Sequence, residues 1–195
     1  MPDREPRRRP EYAPDDIPTA PHETEAAPAA AAGRRRFLGW LMIALVLVVL
    51  DQTTKIGFDT ALQYGERLQV LPFFDFTLLY NTGAAFSFLA GGQGWQRWLF
   101  TAIALIATVV IVRLLWKHPQ QSVFCAALAC ILGGALGNVI DRLLYGHVVD
   151  FLLFYWQDWY FPAFNVADIA ITIGAILLLL DEILRWRRER RRAQP

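Results

Sequence analysis

Four long apolar segments divide the chain, and each approaches the roughly 20 residues that a helix needs to cross a hydrocarbon core of about 30 Å. They cover residues 37–56, 95–116, 123–144 and 166–184. Polar side chains gather toward one end of the first and third segments. The pattern predicts an all-α membrane protein with four transmembrane helices and with its functional groups at helix ends.

Two connecting segments are too apolar to be ordinary solvated loops. Residues 66–90 are rich in aromatic and branched side chains, and Asn81-Thr82-Gly83 is a turn signal between two short strands. They predict a small β-sheet on the periplasmic face, with its aromatic residues at the headgroup boundary. Residues 147–165 are expected to dip into the membrane interface or to lie along it.

Composition supports a membrane protein and sets the domain boundaries. At 195 residues the chain is long enough for one domain, and 55% hydrophobic residues is unusual for a soluble one. Residues 1–33 are rich in proline and alanine without apolar periodicity, which predicts a disordered cytoplasmic tail. We therefore expect a four-helix transmembrane domain over residues 34–186 and a basic cytoplasmic tail over 187–195.

Basic residues predict the orientation of the helices. Arg34 to Arg36 precede the first span, Arg113 and Lys117 end the second, and six arginines between 185 and 192 follow the fourth. Since translocation disfavours Lys and Arg in short loops, both termini are predicted to be cytoplasmic, with the arginines contacting anionic lipid headgroups. The net charge of +1 gives no reason to expect a nucleic-acid partner.

The arginines before the first span also resemble a twin-arginine export signal. No small-x-small cleavage site follows them, and Asp51-Gln-Thr-Thr-Lys55 comes instead. An uncleaved first span is the better interpretation.

Asp150 and Asp168 lie in strongly apolar surroundings, in the stretches VVDF and FNVAD. Asp168 follows Asn165 by three residues, the spacing of a helix capping box, so capping and catalysis are both open and compatible for it. Asp150 without a partner would face a desolvation cost of several kcal/mol or take up a proton. Two neighbouring carboxylates can share that proton and bind a water molecule between them, which is the chemistry of an aspartic peptidase.

Two further acidic residues lie beside basic ones. Asp51 and Lys55 are four residues apart with the acid first, which favours a helical ion pair, and a snorkelling lysine with its counter-ion is an equally good interpretation. Asp141 and Arg142, in the last turns of the third span, are predicted either to hydrogen-bond the loop that carries Asp150 or to form an ion pair at the helix end.

Other chemistries find less support. The histidines are scattered and form no H-E-x-x-H motif, so no metal site is expected. Cys125 and Cys130, five residues apart in one span, have neither zinc nor redox spacing and are predicted to be small buried side chains. Ser87 with Lys55 remains open as a Ser-Lys dyad on the outer face.

Five motifs, taken together and in order, closely resemble lipoprotein signal peptidase, or signal peptidase II, over about residues 37 to 184. They are D51-Q-T-T-K55, N81-T-G-A-A-F86, G137-N-V-I-D-R142, V148-V-D-F151 and F164-N-V-A-D168. The resemblance implies an inner-membrane aspartic peptidase that cuts prolipoproteins before a diacylglyceryl-modified cysteine. We expect it to need no cofactor and to act as a monomer.

The resemblance also implies roles for individual residues. The catalytic pair would be Asp150 and Asp168. The position of Asp168 near a helix N-terminus, and not the resemblance, leads us to expect it to be the ionised partner. Supporting or substrate-contacting positions would be Asp51, Lys55, Asn81, Gly83, Asn138, Asp141, Arg142 and Asn165. The motif match favours a supporting role for Asp141. The strands within residues 70–88 are expected to clamp the substrate peptide by adding backbone hydrogen bonds.

Two non-enzymatic functions compete with this interpretation. A small transporter would carry acidic residues near the bilayer midplane, whereas here they lie at the outer helix ends. A lipid-binding scaffold would need no paired carboxylates and would tolerate Asp150→Asn.

Overall fold

The computed structural model describes residues 26–83 and 94–192, which form four helices and four strands. The helices are α1 (Ala26–Ala61), α2 (Trp95–Lys117), α3 (Ser122–Leu144) and α4 (Val166–Arg192). The strands are β1 (Arg67–Leu71), β2 (Phe74–Asn81), β3 (Val148–Trp156) and β4 (Trp159–Tyr160). All four apolar segments are therefore helical.

α3 is the central helix, because glycines let its neighbours approach closely. A Cβ atom on Gly133 would lie 2.7 Å from the Cβ of Leu47 in α1, and one on Gly134 would collide with the carbonyl oxygen of Ala167 in α4. Gly174 of α4 makes the reciprocal contact, since its Cβ would lie 2.7 Å from the carbonyl oxygen of Ala127. Cys125 belongs to the buried core of this bundle, as predicted, whereas Cys130 is only partly buried.

Three helices of the described chain are long and apolar enough to cross a membrane: Ala31–Ala61, Trp95–Lys117 and Ser122–Leu144. α4 is not among them, since Asp168 lies in its first turn and Asp181 and Glu182 follow its apolar stretch. Large apolar side chains nevertheless cover its outer surface, including Ile176 and Leu179.

The strands form one antiparallel sheet in the order β1-β2-β3-β4. The rings of Phe76 and Phe151 pack on Phe58 of α1, with ring centroids 4.7 and 4.4 Å from it. The sheet therefore packs against the end of the bundle where α1 and α3 finish and α4 begins. We call this the sheet end.

The structure adds two details to what was predicted about this sheet. The turn between β1 and β2 is at Pro72 and Phe73, whereas Asn81 ends β2 and Thr82 and Gly83 follow it. The partner of β2 is β3, from the segment predicted to lie along the interface. Local composition does not reveal a partner about 70 residues away. The predicted strand residues 84–90 lie outside the described chain.

Two boundaries also differ from those predicted. α1 begins at Ala26 instead of after residue 33, and α4 continues to Arg192 through the basic tail. Alanine and arginine are among the best helix formers, so both helices extend beyond their apolar parts.

Candidate active site

Asp150 lies on β3, opposite Leu79 of β2, and only 3% of its surface is exposed. Two asparagine amides donate hydrogen bonds to its carboxylate. Nδ2 of Asn165 lies 2.7 Å from Oδ1, and Nδ2 of Asn81 lies 3.1 Å from Oδ2. The partners of this buried carboxylate are therefore donors, which stabilise its charged form.

Asp168 lies in the first turn of α4 and forms the predicted capping box with Asn165. The Asp168 N–H donates to Oδ1 of Asn165 at 3.0 Å, and the Asn165 N–H donates to Oδ2 of Asp168 at 3.3 Å. Nδ2 of Asn138, on α3, adds a third contact at 2.9 Å from Oδ1 of Asp168. Capping leaves this carboxylate accessible from the other side, where Asp168 lines a cleft.

Backbone hydrogen bonds join the elements that carry the two aspartates. Phe164 pairs with Leu152 of β3 through N–H to O distances of 3.0 and 2.9 Å. This bridge holds the start of α4 against β3, so Asn165 contacts both carboxylates. The negative charge of Asp168 accordingly acts on Asp150.

The three asparagines that face the aspartates have defined amide orientations. In each case Oδ1 accepts from a group that can only donate: the Asp168 N–H for Asn165, the Gly83 N–H for Asn81 and the Lys55 ammonium for Asn138. Each Nδ2 must then point at a carboxylate. The network thus presents a preorganised set of donors to the pair.

Lys55 connects three acceptors at the centre of this network. Its ammonium lies 2.8 Å from Oδ2 of Asp51, 3.0 Å from Oδ2 of Asp141 and 2.9 Å from Oδ1 of Asn138. Lys55 is 2% exposed and the two carboxylates no more than 1%. The predicted ion pair is confirmed, and the snorkelling alternative is wrong because the ammonium points into the bundle, toward acceptors on α3.

Asp51, Lys55 and Asp141 form an ion triad. Its two carboxylates also fix backbone groups next to the catalytic candidates. Oδ1 of Asp51 accepts from the N–H of Ala167, 2.9 Å away in the first turn of α4. Oδ2 of Asp141 accepts from the N–H of Val149, 3.0 Å away and adjacent to Asp150. Asp141 therefore holds the segment that carries Asp150 as well as pairing with Lys55.

Gln52 belongs to this network, although the sequence analysis did not select it. Its Nε2 lies 2.7 Å from Oδ1 of Asp141 and 3.2 Å from the carbonyl oxygen of Gly137. A Cβ atom on Gly137 would collide with the carboxylate of Asp51. A polar residue beside Asp51 in an apolar helix was the available signal for Gln52.

Arg142 and Gly83 occupy the edge of the site. Arg142 was predicted with Asp141 to bond the loop, but its Nη1 donates to its own helix at Asn138 O, 3.2 Å away, and its guanidinium lies 5.6 Å from the Phe100 ring. Gly83 has a φ of 101°, and its Cβ would lie 3.1 Å from that ring. Glycine thus permits the turn that orients Asn81.

Electrostatics distinguish Asp150 as the proton-holding candidate. Burial raises its pKa, the charge of Asp168 raises it further, and the hydrogen bonds from Asn81 and Asn165 lower it, so that the pKa is about 7. Near neutral pH such a carboxyl can hold a proton and release it, as general acid–base catalysis requires.

An apolar cleft of about 300 Å³ opens beside Asp168. It is lined by Phe161, Phe164, Asp168, Ile169, Thr172 and Ile173. Among the described residues, no group of three His, Cys, Asp or Glu side chains is placed to hold a metal ion. Ser87, the nucleophile of the alternative dyad, lies outside the described residues.

Comparison with known proteins identifies the family. The model of the Signal peptidase (SPase) II family matches residues 43–184. The lipoprotein signal peptidase of Paraburkholderia phytofirmans is 53% identical over 167 residues, covering 86% of this chain and 97% of that protein. The corresponding protein of Burkholderia thailandensis is 57% identical over 148 residues, covering 76% and 89%.

The fold agrees with this assignment. A bacterial membrane enzyme solved by the in meso method at 2.3 Å superimposes with a TM-score of 0.66 and 34% identity, covering 74% of this chain and 87% of that one. Because the family model covers α2, α3, all four strands and every catalytic candidate, the chain belongs to the signal peptidase II family of bacterial membrane peptidases.

Proposed function

We propose that this peptidase removes the signal peptide from prolipoproteins by cutting before a diacylglyceryl-modified cysteine, with Asp150 and Asp168 activating the attacking water. One observation carries the mechanism: Asn165 hydrogen-bonds to both carboxylates and thereby holds them in one site. Family membership supports the reaction, and this geometry supports the residues that perform it.

The two aspartates divide the work by environment. Asp168 accepts from Asn138 and from the Asn165 N–H at a helix N-terminus, which favours its anion. Asp150, whose pKa is about 7, holds the shared proton. Asp168 is thus the general base and Asp150 the general acid in the first step.

The reaction then follows with each proton assigned. Asp168 removes a proton from water as the water oxygen attacks the scissile carbonyl carbon, and Asp150 gives its proton to the carbonyl oxygen. In the collapse of the tetrahedral intermediate, Asp168 returns the proton to the departing nitrogen while Asp150 recovers its own, and the C–N bond breaks. The products are a signal peptide with a new carboxylate and a lipoprotein whose modified cysteine has a free amino group.

The surroundings suit a substrate that arrives within the membrane. The cleft beside Asp168 is lined mainly by apolar side chains, two from α4 and two from the segment before it, so that lipid-facing parts of the substrate reach the carboxylate without entering water. With α4 as a fourth span in the inner membrane and both termini cytoplasmic, the sheet end faces the periplasm. The edge strand β1, exposed along its whole length, is available to pair with the peptide.

Cleavage of a diacylglyceryl-modified prolipoprotein by the purified protein in detergent tests this function. We expect Asp150→Asn and Asp168→Asn each to lower the rate by about 10²-fold to 10⁴-fold, because each removes one proton-transfer group. Asp158→Asn, in the exposed turn between β3 and β4, is the matched control and should cleave normally.

Two further outcomes would contradict parts of the proposal. If both asparagine variants cut normally while Ser87→Ala does not, the peptidase uses a Ser-Lys mechanism instead. If folded wild-type protein cuts unmodified and lipid-modified precursors equally well, the proposed substrate class is wrong.

A further inference from the structure

A second polar site lies at the opposite end of the bundle from the aspartates, where α3 begins and α4 ends. A cleft of about 580 Å³ separates the α2–α3 connection from the last turns of α4. Its lining consists of Gln120, Gln121, Ser122, Val123, Asp181, Arg185 and Arg188. Two arginines against one aspartate give this cleft a positive charge, although the chain as a whole is almost neutral.

Arg185 is held in place on one side of the cleft. Its Nη2 lies 2.7 Å from Oδ2 of Asp181 and 2.6 Å from Oε1 of Gln121, and its guanidinium lies 5.3 Å from the ring of Phe124. Arg188 follows three residues later on the same face of α4 and makes no ion pair within the described residues. One fixed and one unpaired guanidinium therefore line the same cleft.

Tryptophans place this cleft at the depth of lipid headgroups. Trp40 donates from Nε1 to the carbonyl oxygen of Pro119, 3.1 Å away in the connection that borders the cleft. Trp116 and Trp186, on the adjoining helix ends, are 61% and 49% exposed. Tryptophan is enriched where hydrocarbon meets headgroups, so three of them at this end of the bundle indicate that boundary.

The surface of α4 that continues from the cleft toward the sheet end is apolar, which favours a lipid over a soluble anion as the ligand. Leu179 and Leu180, in the turn before Asp181, are 67% and 43% exposed, and Val123 lines the cleft floor. We propose that the cleft binds the phosphate of an anionic phospholipid between Arg185 and Arg188, with the acyl chains lying along α4. This site is separate from the catalytic aspartates.

Binding of defined lipids to the purified full-length chain tests the proposal. Native mass spectrometry from detergent would compare titrations of phosphatidylglycerol and phosphatidylcholine with the same acyl chains. We expect tighter binding of phosphatidylglycerol, and Arg188→Gln should weaken it by about tenfold, the loss of one charge-assisted hydrogen bond. Arg187→Gln removes the same charge from the next position, outside the cleft lining, and should change the affinity by less than about twofold.

Several results would overturn the inference. Equal losses in Arg188→Gln and Arg187→Gln would indicate diffuse attraction to the basic helix instead of a site. Equal binding of the two lipids would exclude recognition of a net negative headgroup, and full competition by glycerol phosphate would indicate a soluble-anion site. A melting temperature of Arg188→Gln well below that of wild type in lipid-free micelles would attribute its loss of binding to a loss of folding.

Discussion

Lys55 has three hydrogen-bond donors and meets three acceptors, two from carboxylates and one from the Asn138 amide. This saturation explains how a lysine is tolerated in the bundle interior, where an unpaired charge would be strongly destabilising. It also leaves no N–H of the ammonium free to hydrogen-bond a further group. The orientation of Asn138, and through it one contact to Asp168, depends on this residue.

Replacing Lys55 should therefore damage stability and not only activity. We expect Lys55→Gln to lower the free energy of unfolding by about 3–5 kcal/mol, since two carboxylates lose their buried counter-charge. Unfolding in mixed detergent micelles measures this loss, and Lys117→Gln, which changes an exposed lysine, is the control. A loss below 1 kcal/mol, on the order of an exposed ion pair, would contradict the role given to the triad.

Asp150 should determine how cleavage depends on pH. With a pKa of about 7, it loses its proton above that pH, so kcat/KM should fall on the basic side. The amide of Asn81 stabilises the charged carboxylate, and removing it in Asn81→Ala should raise the pKa and move this fall to higher pH. Cleavage rates of wild type, Asn81→Ala and a control in the exposed Gln63, Gln63→Ala, across the pH range measure the shift. A shift to lower pH would contradict the assignment.

The same carboxyl should make the folded protein less stable as pH rises. An unfolded aspartate has a pKa of about 4, and a group whose pKa is raised by folding favours the folded state below the unfolded value. This contribution is lost between about 4 and about 7. We expect Asp150→Asn to remove most of the decline in unfolding free energy across that window. An identical decline in the variant would mean that another group titrates there.

At the scale of elements, contacts between helices depend on glycines whose neighbours lie on other segments. Gly137 leaves room for the Asp51 carboxylate, whereas a Cβ on Gly57, in α1, would meet open space. We expect Gly137→Ala to destabilise the protein by about 1–3 kcal/mol through overpacking, with loss of cleavage. Gly57→Ala is the matched control and should be neutral or slightly stabilising. Equal effects of the two changes on thermal unfolding would contradict this packing.

The sequence predicts these elements unevenly, for physical reasons. All four helices were predicted, since hydrocarbon length and apolar runs are local signals. The pairing of β2 with β3 was not, because the register that places Leu79 opposite Asp150 depends on contacts between distant segments. The motifs selected Asp150 and Asp168 as catalytic candidates, which stays a prediction. Gln52 was missed because its role depends on Asp141 and Gly137, which lie on another helix.

At the scale of the whole molecule, the two ends of the bundle have different chemistry. The sheet end gathers the buried carboxylates and asparagines, and the opposite end gathers the arginines of the last turns of α4. In the proposed orientation, the first set acts at the periplasmic interface and the second contacts the cytoplasmic leaflet. An even number of spans is what places both termini on one side.

Labelling of introduced cysteines tests that orientation in intact cells. In a background with Cys125 and Cys130 replaced by alanine, Asp158→Cys at the sheet end should react with a membrane-impermeant maleimide from outside. Arg187→Cys should react only after the inner membrane is permeabilised. Labelling of both positions from the same side would mean that α4 does not cross the membrane.

The ion triad also bears on how the chain enters the bilayer during synthesis. Asp51 and Lys55 neutralise each other within α1. This pair therefore adds no net charge to α1 when the helix leaves the ribosome, before α3 and α4 have been synthesised. Asp141 and Asn138 are synthesised later, with α3. The N–H of Ala167, which donates a hydrogen bond to Asp51, is synthesised only with α4. Asp168, the last of these acidic residues to be made, thus enters a site whose donor on α3 is already oriented.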